Sequence, residues 1–361
     1  MRPITATIDL AALRHNLEVA RRHAPQSKAF AVIKANAYGH GLLRAARALS
    51  AADGFAVIEP DAAVRLREAG YAQRILMLEG FFEPRELRIL VKHRISTTLH
   101  SPEQIAMLES LPAGSRLDVL LKLNTGMNRL GFQPSAFAAA LTRLEKHPGI
   151  AGITLMTHFS TADDERGITK ALALFDATIG ASRHPRSMAN SAAVLRFPES
   201  HADWIRPGIM LYGCSPFGEG IGADLALEPA MTVASEIIAV RDIARGESVG
   251  YGATFTAEAT TRIGVVACGY ADGYPRHAPT GTPVLVGDRL TRTLGRISMD
   301  MLCVDLTGCE SARVGTRVVL WGAGNPVENV AAAAGTVGYE LLCALAPRVR
   351  IVEKGTASPR A

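Results

Sequence analysis

A lysine at the end of an apolar run is the first candidate for chemistry in this sequence. Lys34 closes the run AFAVIK (29–34), and the small, turn-prone segment ANAYGHG follows it. A lysine that loses solvation at a buried strand end holds its proton less tightly, which frees the amine as a nucleophile or base. Position alone also fits a lysine whose stem packs on the strand while its ammonium group reaches solvent.

Two more cations stand close together in the segment KLNTGMNRLGF. Arg129 lies between Gly126 and Gly131, in a loop that suits an arginine binding a carboxylate, and Lys122 precedes it within an apolar run. If both side chains lie in one interior they repel each other, so one must be neutralised or covalently changed. A pair of surface cations is the alternative.

Two segments near residue 200 suit an anion. Ser191 follows Asn190 and opens the helix-like AAVLRF, and Arg206 precedes Pro207, Gly208 and Ile209. Backbone N–H groups at a helix start bind phosphate, and a glycine lets the backbone approach a ligand closely. A simple helix cap and a simple turn are the alternatives.

The elements that must position these residues are short apolar runs separated by helix-like stretches. Their near-continuous apolarity is typical of parallel strands covered on both faces. The runs are AFAVIK (29–34), GFAVI (54–58), RILMLEG (74–80), RISTTLH (94–100), RLDVLLKLN (116–124), GITLMTH (152–158), RSMAN (186–190) and DWIRPGIML (203–211).

Eight such strand-helix units predict an α/β fold, a (β/α)8 TIM-type barrel, which collects its chemistry at the carboxyl ends of its strands. Lys34, His158 and Arg206 all fall at predicted strand ends. A doubly wound open sheet is the alternative, but AVIKANAYGHG does not provide the G-x-G-x-x-G turn that such folds often carry.

After about residue 225 the pattern changes to short strand-like runs separated by glycine and turn residues, with one helix-like stretch at 329–346. This predicts a second, mainly β domain. We place the boundary at the step from Glu228 to Pro229, which gives a barrel domain of residues 1–228 and a β domain of residues 229–361.

Composition excludes several classes. The 361 residues include 39 Lys and Arg against 34 Asp and Glu, a formal net charge of +5, with 48% hydrophobic and 20% charged residues. These values argue against disorder, collagen-like repeats and coiled coil. The charge surplus is too dilute for a nucleic-acid-binding face, and polar residues interrupt every apolar run before the ~20 residues of a membrane helix.

Cysteine usage and the chain start bear on the compartment. Five cysteines without a C-x-x-C pair predict neither a disulfide scaffold nor a zinc site, and we expect no metal. The start, MRPITATIDL, lacks the apolar core of a signal peptide. We therefore expect a soluble, cytoplasmic protein that binds neither nucleic acid nor membrane.

Whole segments of the chain resemble the alanine racemase family, whose members are pyridoxal-phosphate enzymes that interconvert L- and D-alanine. The segments run in the family's order from residue 31 to residue 340, which is nearly the entire chain. They are AVIKANAYGHG, KLNTGMNRLGF, MTHFS, SMANSAAVL, DWIRPGIMLYG, VGYGATF, CGYADGYPR, GRISMDM and TVGYE. AVIKANAYGHG and RPGIMLYG are the most specific of them.

The resemblance implies an isomerase that supplies D-alanine for peptidoglycan or serves alanine catabolism. It implies that Lys34 binds pyridoxal 5'-phosphate covalently and is one catalytic base, and that Tyr251 is the other. Further residues implied to bind the cofactor are Tyr38, His158, Ser191, Arg206, Gly208, Ile209 and Tyr339. Those implied to bind the substrate are Arg129, Met299 and Asp300.

The same resemblance implies a homodimer, in which Tyr251 reaches the active site of the partner subunit. Racemisation removes the α-proton from one face and returns one to the other, and two acid/base groups on opposite faces can do this without moving the substrate. In some members a lysine corresponding to Lys122 is carbamylated by CO2, which would turn a cation into an anion able to pair with Arg129.

Three other interpretations remain at this point. A pyridoxal-phosphate decarboxylase with a barrel and a β domain is usually longer and carries a cysteine-containing segment that we do not find. A racemase of broader small-amino-acid specificity would share these motifs. A non-catalytic pyridoxal-phosphate-binding protein would lack the domain that bears Tyr251 and Met299.

Overall fold

The computed structural model describes residues 2–355, so the last residues of the predicted β domain lie outside the described range. The chain opens with strand β1 (Thr5–Asp9) and helix α1 (Leu10–His23). Asp9 caps α1 by accepting hydrogen bonds from the backbone N–H groups of Ala11 and Ala12, two donors that a helix start otherwise leaves free.

The next eight strands form the closed parallel barrel that the sequence predicts. Each strand overlaps one of the eight predicted apolar runs. The strands are β2 (Lys28–Val32), β3 (Gly54–Val57), β4 (Arg74–Met77), β5 (Ile95–Leu99), β6 (Leu117–Lys122), β7 (Ile150–Met156), β8 (Arg186–Ser187) and β9 (Trp204–Ile205). The last two are shorter than their runs because helical turns begin soon after them, at Ser191 and Ile209.

Helices connect the barrel strands, and proline is the first residue of four of them, α4 to α7, where a helix needs no backbone N–H donor. The helical segments are α2 (Lys34–Tyr38), α3 (Leu42–Ala48), α4 (Pro60–Glu68), α5 (Pro84–Lys92), α6 (Pro102–Met107), α7 (Pro134–Glu145), α8 (Thr169–Ile179) and α9 (Ser191–Arg196), of which α2 is a single turn with left-handed backbone. Apolar residues three apart, such as Leu87 and Leu90 in α5, form their buried faces.

The second domain is mainly β, as predicted. Its strands are β10 (Met231–Ile243), β11 (Ser248–Val249), β12 (Phe255–Thr256), β13 (Thr261–Val266), β14 (Pro283–Val286), β15 (Arg289–Leu294), β16 (Leu302–Asp305), β17 (Arg317–Trp321) and β18 (Arg350–Lys354). Two helices, α10 (Val327–Ala333) and α11 (Gly338–Cys343), occupy the stretch predicted to be helical.

The second domain's main sheet includes the start of the chain. Its order is β13-β16-β15-β14-β17-β10-β1-β18, and β10 also pairs with β13, which closes part of the sheet into a ring. β1 pairs antiparallel with β10 and parallel with β18. The first strand therefore connects the barrel domain to the sheet of the second domain. The sequence contains no apolar run at β1, because its residues alternate between buried and half-exposed positions.

Residues 2–355 contain neither a helix suited to span a membrane nor a cluster of side chains suited to bind a metal ion. No helix in that range combines the length and the apolar character that crossing a bilayer requires. In the same range, no three His, Cys, Asp or Glu side chains are grouped so that they could hold a metal ion.

Candidate active site

The carboxyl ends of the barrel strands bring together most of the cations selected from the sequence. Lys122 is the last residue of β6, Arg206 directly follows β9, and Lys34 lies two residues beyond β2. His158 lies two residues beyond β7, and burial together with the charges of these cations lowers its pKa. Its pKa lies well below the ordinary value because of burial first and then because of the positive charges of Arg206, Lys122, Arg129 and Lys34.

Lys34 is presented by a left-handed turn that the sequence did not predict. The strand ends at Val32, and the four residues 35–38 all have positive φ values, from 51° to 56°. Left-handed backbone costs a non-glycine residue about 1–2 kcal/mol, so such a run persists only where its surroundings hold it. The turn leaves Lys34 half-buried and Tyr38 buried.

Arg206 is a buried guanidinium, 3% exposed, without a carboxylate partner in residues 2–355. Its Nη1 donates to Ser187 Oγ (2.7 Å), and its Nη2 donates to the carbonyl oxygens of Thr157 (2.7 Å) and Met188 (3.1 Å). The same Nη2 lies 3.4 Å from His158 Nδ1. Burial lowers the pKa of Arg206 to about 9, so it is still a cation at neutral pH.

The two segments predicted to bind an anion meet where α9 starts and where β9 ends. Ser191 Oγ accepts hydrogen bonds from the backbone N–H groups of Gly208 (2.8 Å) and Met210 (3.4 Å). A Cβ atom added to Gly208 would lie 2.8 Å from Tyr38 Oη, so only glycine permits this close approach of the Tyr38 hydroxyl to the backbone. The ring of Tyr339, at the start of α11, lies 6.1 Å from the Tyr38 ring. These residues and Ile209 therefore form one cradle at the mouth of the barrel.

Lys122 and Arg129 occupy the same region but differ in exposure. Lys122 is buried, and its pKa falls to about 8 because of burial first and then the charges of Arg206 and Arg129. Arg129 is exposed on a loop that Asn124 shapes, since Asn124 Oδ1 accepts from the N–H groups of Gly126 (3.1 Å) and Asn128 (3.0 Å). The repulsion expected from the sequence is present.

Besides Tyr339, three predicted residues lie in the second domain and are exposed to different degrees. Tyr251 is 72% exposed and Met299 53%, and in the described chain neither has a hydrogen bond or ring contact with the barrel residues above. Asp300 Oδ1 pairs with Arg348 Nη2 (2.7 Å), and its carbonyl accepts from Arg2 Nη2 (2.9 Å). One chain by itself therefore does not bring Tyr251 to Lys34.

Sequence reasoning missed several residues that fix this site. Ser187 is fully buried, accepts from Arg206 and donates to the Trp204 carbonyl (3.0 Å). Thr157 donates to the Leu123 carbonyl (3.0 Å) while its own carbonyl holds Arg206. Thr157 lies in the segment MTHFS and Ser187 in SMANSAAVL, but nothing in the sequence indicates that either residue contacts Arg206.

His40 is a fully buried histidine directly after the left-handed turn. Its Nδ1 lies 2.8 Å from the carbonyl oxygen of Tyr38 and 3.1 Å from that of Ala37. Carbonyl oxygens only accept, so Nδ1 carries the proton and donates to both. Burial lowers the pKa of His40 to about 4, and the ring is therefore neutral at physiological pH.

Acidification from about pH 8 to about pH 5 is expected to destabilise the fold in part through His40. In the unfolded chain His40 is protonated below about pH 6.5, whereas in the folded protein its ring stays neutral down to about pH 4. The free energy of unfolding therefore decreases as the pH falls between these two values. The loss at pH 5 is about 2 kcal/mol for one such group. Thermal midpoints across the range should fall less steeply in His40→Asn than in the parent, and equal slopes would contradict this assignment.

The fold and the site together define a class of two-domain enzymes. Here a (β/α)8 barrel presents a lysine and a buried arginine near the turn at Gly208, and a mainly β domain follows. The model of the alanine racemase N-terminal domain matches residues 8–216, and that of the C-terminal domain matches residues 230–353. The chain belongs to the alanine racemase family, and it is an amino-acid racemase, an isomerase.

Relatives cover nearly the whole chain. It is 60% identical over 354 residues to alanine racemase of Nitrosospira multiformis, covering 97% of this chain and 99% of that protein. The structure of biosynthetic alanine racemase from Pseudomonas aeruginosa is similar at a TM-score of 0.96 and 49% identity, covering 98% of this chain and 100% of the other. Alanine racemase from Acinetobacter baumannii gives a TM-score of 0.93 at 38% identity, with the same coverage. The resemblance stated from the sequence is confirmed.

Proposed function

We propose that this chain interconverts L- and D-alanine, with pyridoxal 5'-phosphate bound at Lys34. One observation carries the proposal beyond family membership. Lys34 lies among three other cations at the barrel mouth, and Arg206 among them is buried without a carboxylate partner in the described chain. A buried cation is normally paired with an anion, so we expect this group of four cations to bind an anionic ligand.

The residues present fit pyridoxal phosphate. Tyr38 Oη closely approaches the backbone at Gly208, where an added Cβ atom would meet it at 2.8 Å, so a hydroxyl donor lies beside the turns that open at Ser191 and Ile209, and such a group of O–H and N–H donors suits a phosphate group. Among the described residues, Nε of Arg206 donates to no protein acceptor, so it is free to donate to a ring nitrogen. In this assignment Ser191, Ile209 and Tyr339 line the phosphate end and His158 lies beside the ring.

When bound, the cofactor supplies an electron sink for the charge left after loss of the α-proton. Two residues of the enzyme move that proton. Lys34 serves the face of D-alanine, and Tyr251 of the partner subunit serves the face of L-alanine. When one residue removes the α-proton from its face of the substrate, the other donates a proton to the opposite face. The substrate therefore does not have to rotate within the site.

A phenol loses its proton reluctantly at neutral pH, so Tyr251 needs a neighbour that stabilises the phenolate. Arg206 donates to His158 Nδ1 across 3.4 Å, and with that nitrogen accepting, the proton of the neutral ring stays on Nε2. Nε2 can then donate to the phenolate oxygen. The permanent charge of Arg206 polarises this chain of donors.

Substrate binding falls to three residues in this proposal. Arg129, on its shaped loop, pairs with the substrate carboxylate, and the backbone of Met299 with Asp300 lines the opposite side. Asp300 is already held by Arg348 and Arg2, so its contribution is to fix the Met299 loop as well as to line the site.

The proposed site requires a homodimer. Tyr251 and Met299 are exposed in the single chain, and exposed aromatic and methionine side chains are enriched at protein interfaces. We propose the same division into residues 1–228 and 229–361, with β1 as the strand by which the barrel joins the second sheet. We also propose a cytoplasmic enzyme, where its free thiols stay reduced.

Lys122 is expected to carry a carbamate. Its neutral amine attacks the carbon of CO2 and loses a proton to solvent, which leaves an anion that pairs with Arg129. Because the pKa of Lys122 is about 8, the neutral amine is abundant near that pH and scarce near pH 6. NMR with ¹³C-bicarbonate should give a carbamate signal in the parent at about pH 8.5, none at about pH 6, and none in Lys122→Arg. A plain amine at the higher pH would contradict the assignment.

Two measurements test the proposed function. Protein loaded with pyridoxal phosphate should absorb in the visible range, lose that absorption on borohydride reduction, and yield a modified peptide that contains Lys34. Chiral chromatography should then show D-alanine formed from L-alanine much faster than D-serine from L-serine. Equal rates would favour the broader racemase, and loading without turnover would favour a non-catalytic cofactor-binding protein.

A further inference from the structure

The left-handed turn between Lys34 and Tyr38 is enclosed by two buried aromatic side chains that the proposed mechanism does not use. His40 follows the turn in sequence and is fully buried. Tyr212, in the helical turn after β9, is 2% exposed. Their rings are 4.6 Å apart, so the two side chains form one packed unit.

Each ring holds a different end of the segment that contains Lys34. Tyr212 Oη donates to the carbonyl of Val32 (2.9 Å), the last residue of β2. His40 Nδ1 donates to the carbonyls of Ala37 and Tyr38 at the far end of the turn. Tyr212 also stacks on the Tyr38 ring at 4.6 Å. The backbone on both sides of Lys34 is therefore fixed by the same pair.

The local backbone accounts for only part of the turn. Four backbone hydrogen bonds close it: the N–H of Ala37 donates to the Ile33 carbonyl (3.0 Å), that of Gly39 to Ala35 (3.2 Å), that of His40 to Ala37 (3.0 Å) and that of Gly41 to Asn36 (2.8 Å). Four consecutive left-handed residues need more than this, because each one is disfavoured on steric grounds. The side chain of His40 supplies two further hydrogen bonds, although its Nε2 has no partner in the described chain.

We propose that His40 and Tyr212 are positioning residues that clamp residues 32–38 and so set Lys34 and Tyr38 against the Gly208 turn. The inference deepens the proposed function and rests on it, because the turn is useful only if Lys34 and Tyr38 bind the same ligand. The amine of Lys34 and the hydroxyl of Tyr38 would engage opposite ends of pyridoxal phosphate. Loosening the clamp weakens that joint fit without removing either group.

Four variants separate positioning from general stability. His40→Leu removes both hydrogen bonds, while His40→Asn keeps an N–H donor at about the place of Nδ1. Tyr212→Phe keeps the stacked ring and removes only the bond to Val32. Asn325→Leu is the matched control, since Asn325 is fully buried in the second domain and donates to two backbone carbonyls, those of Pro283 (3.1 Å) and Leu320 (2.8 Å).

The experiment measures amide hydrogen exchange of the peptide covering residues 33–41 in the full chain without cofactor, together with the Kd for pyridoxal 5'-phosphate and the thermal midpoint. In His40→Leu we expect exchange in this peptide to quicken, and the Kd to rise, by about tenfold. His40→Asn should stay within about threefold of the parent, and Tyr212→Phe should fall between them. Asn325→Leu should lower the midpoint and leave this peptide unchanged.

Two results would overturn the clamp. One is unchanged exchange of the 33–41 peptide in His40→Leu and Tyr212→Phe, and the other is equal quickening in Asn325→Leu, which would mean general destabilisation. If His40→Leu does not fold, Tyr212→Phe decides. A parent chain that binds no pyridoxal phosphate would refute the proposed function, whereas the exchange measurement tests the clamp in either case.

Discussion

Replacing Lys34 by alanine is expected to lower kcat/KM for alanine racemisation by at least about 10⁴-fold, because the variant loses both the covalent attachment point and one of the two bases. The left-handed turn gives this lysine a position that no neighbour can take over, since Lys122 is the last residue of β6, a different strand. The measurement is initial rates of D-alanine formation at several substrate concentrations with the protein incubated in excess pyridoxal phosphate.

Lys28→Ala is the matched control for that variant. Lys28 is exposed at the opposite end of the same strand, with its Nζ 5.6 Å from the Trp204 ring. Its removal should leave kcat/KM within about twofold of the parent, as surface substitutions usually do. Retention of most activity in Lys34→Ala would refute the role of Lys34.

Replacing Tyr251 by phenylalanine is expected to lower kcat/KM by about 10³-fold while leaving the thermal midpoint unchanged. The side chain is 72% exposed, so removing its hydroxyl group disturbs no packing within the chain. The loss should be specific to one face. In D2O the variant should still exchange the α-proton of D-alanine through Lys34 but should exchange that of L-alanine far more slowly. Equal exchange of both enantiomers would contradict the assignment of Tyr251.

The same variant tests the shared site. Lys34→Ala and Tyr251→Phe chains are each inactive, but a mixed dimer contains one site with both intact residues. Random exchange of equal amounts makes half of the dimers mixed, so activity should recover to about a quarter of the parent value. No recovery after exchange has been demonstrated by mass spectrometry would place Tyr251 and Lys34 in the same chain.

Much of the barrel could be predicted because its strands are buried on both faces and therefore read as continuous apolar runs. The same pattern located Lys34 and Arg206, since a barrel collects polar side chains at the strand ends. β1 was missed for the opposite reason. It is half-buried and short, and its partners β10 and β18 lie more than 200 residues away in the chain.

Two features of the site had no sequence signal that physical reasoning could use. Four consecutive left-handed residues, none of them glycine, contradict the local preference of the chain and depend on His40 and Tyr212. The hydrogen bond from Arg206 to Ser187 depends on the closeness of β8 and β9, which a serine in the sequence does not reveal. Beyond these two features, the position of Tyr251 relative to Lys34 depends, in the proposed dimer, on the partner chain.

The central claim is that two different residues move the proton on opposite faces of alanine, and one measurement tests it most directly. Protein loaded with pyridoxal phosphate is given L-alanine in D2O, and the D-alanine formed in the first few per cent of reaction is analysed by chiral chromatography with mass detection. Two bases predict D-alanine with deuterium at Cα in nearly every molecule, because the returning group has exchanged with solvent. D-alanine that keeps the original hydrogen would contradict the account, as would the absence of D-alanine.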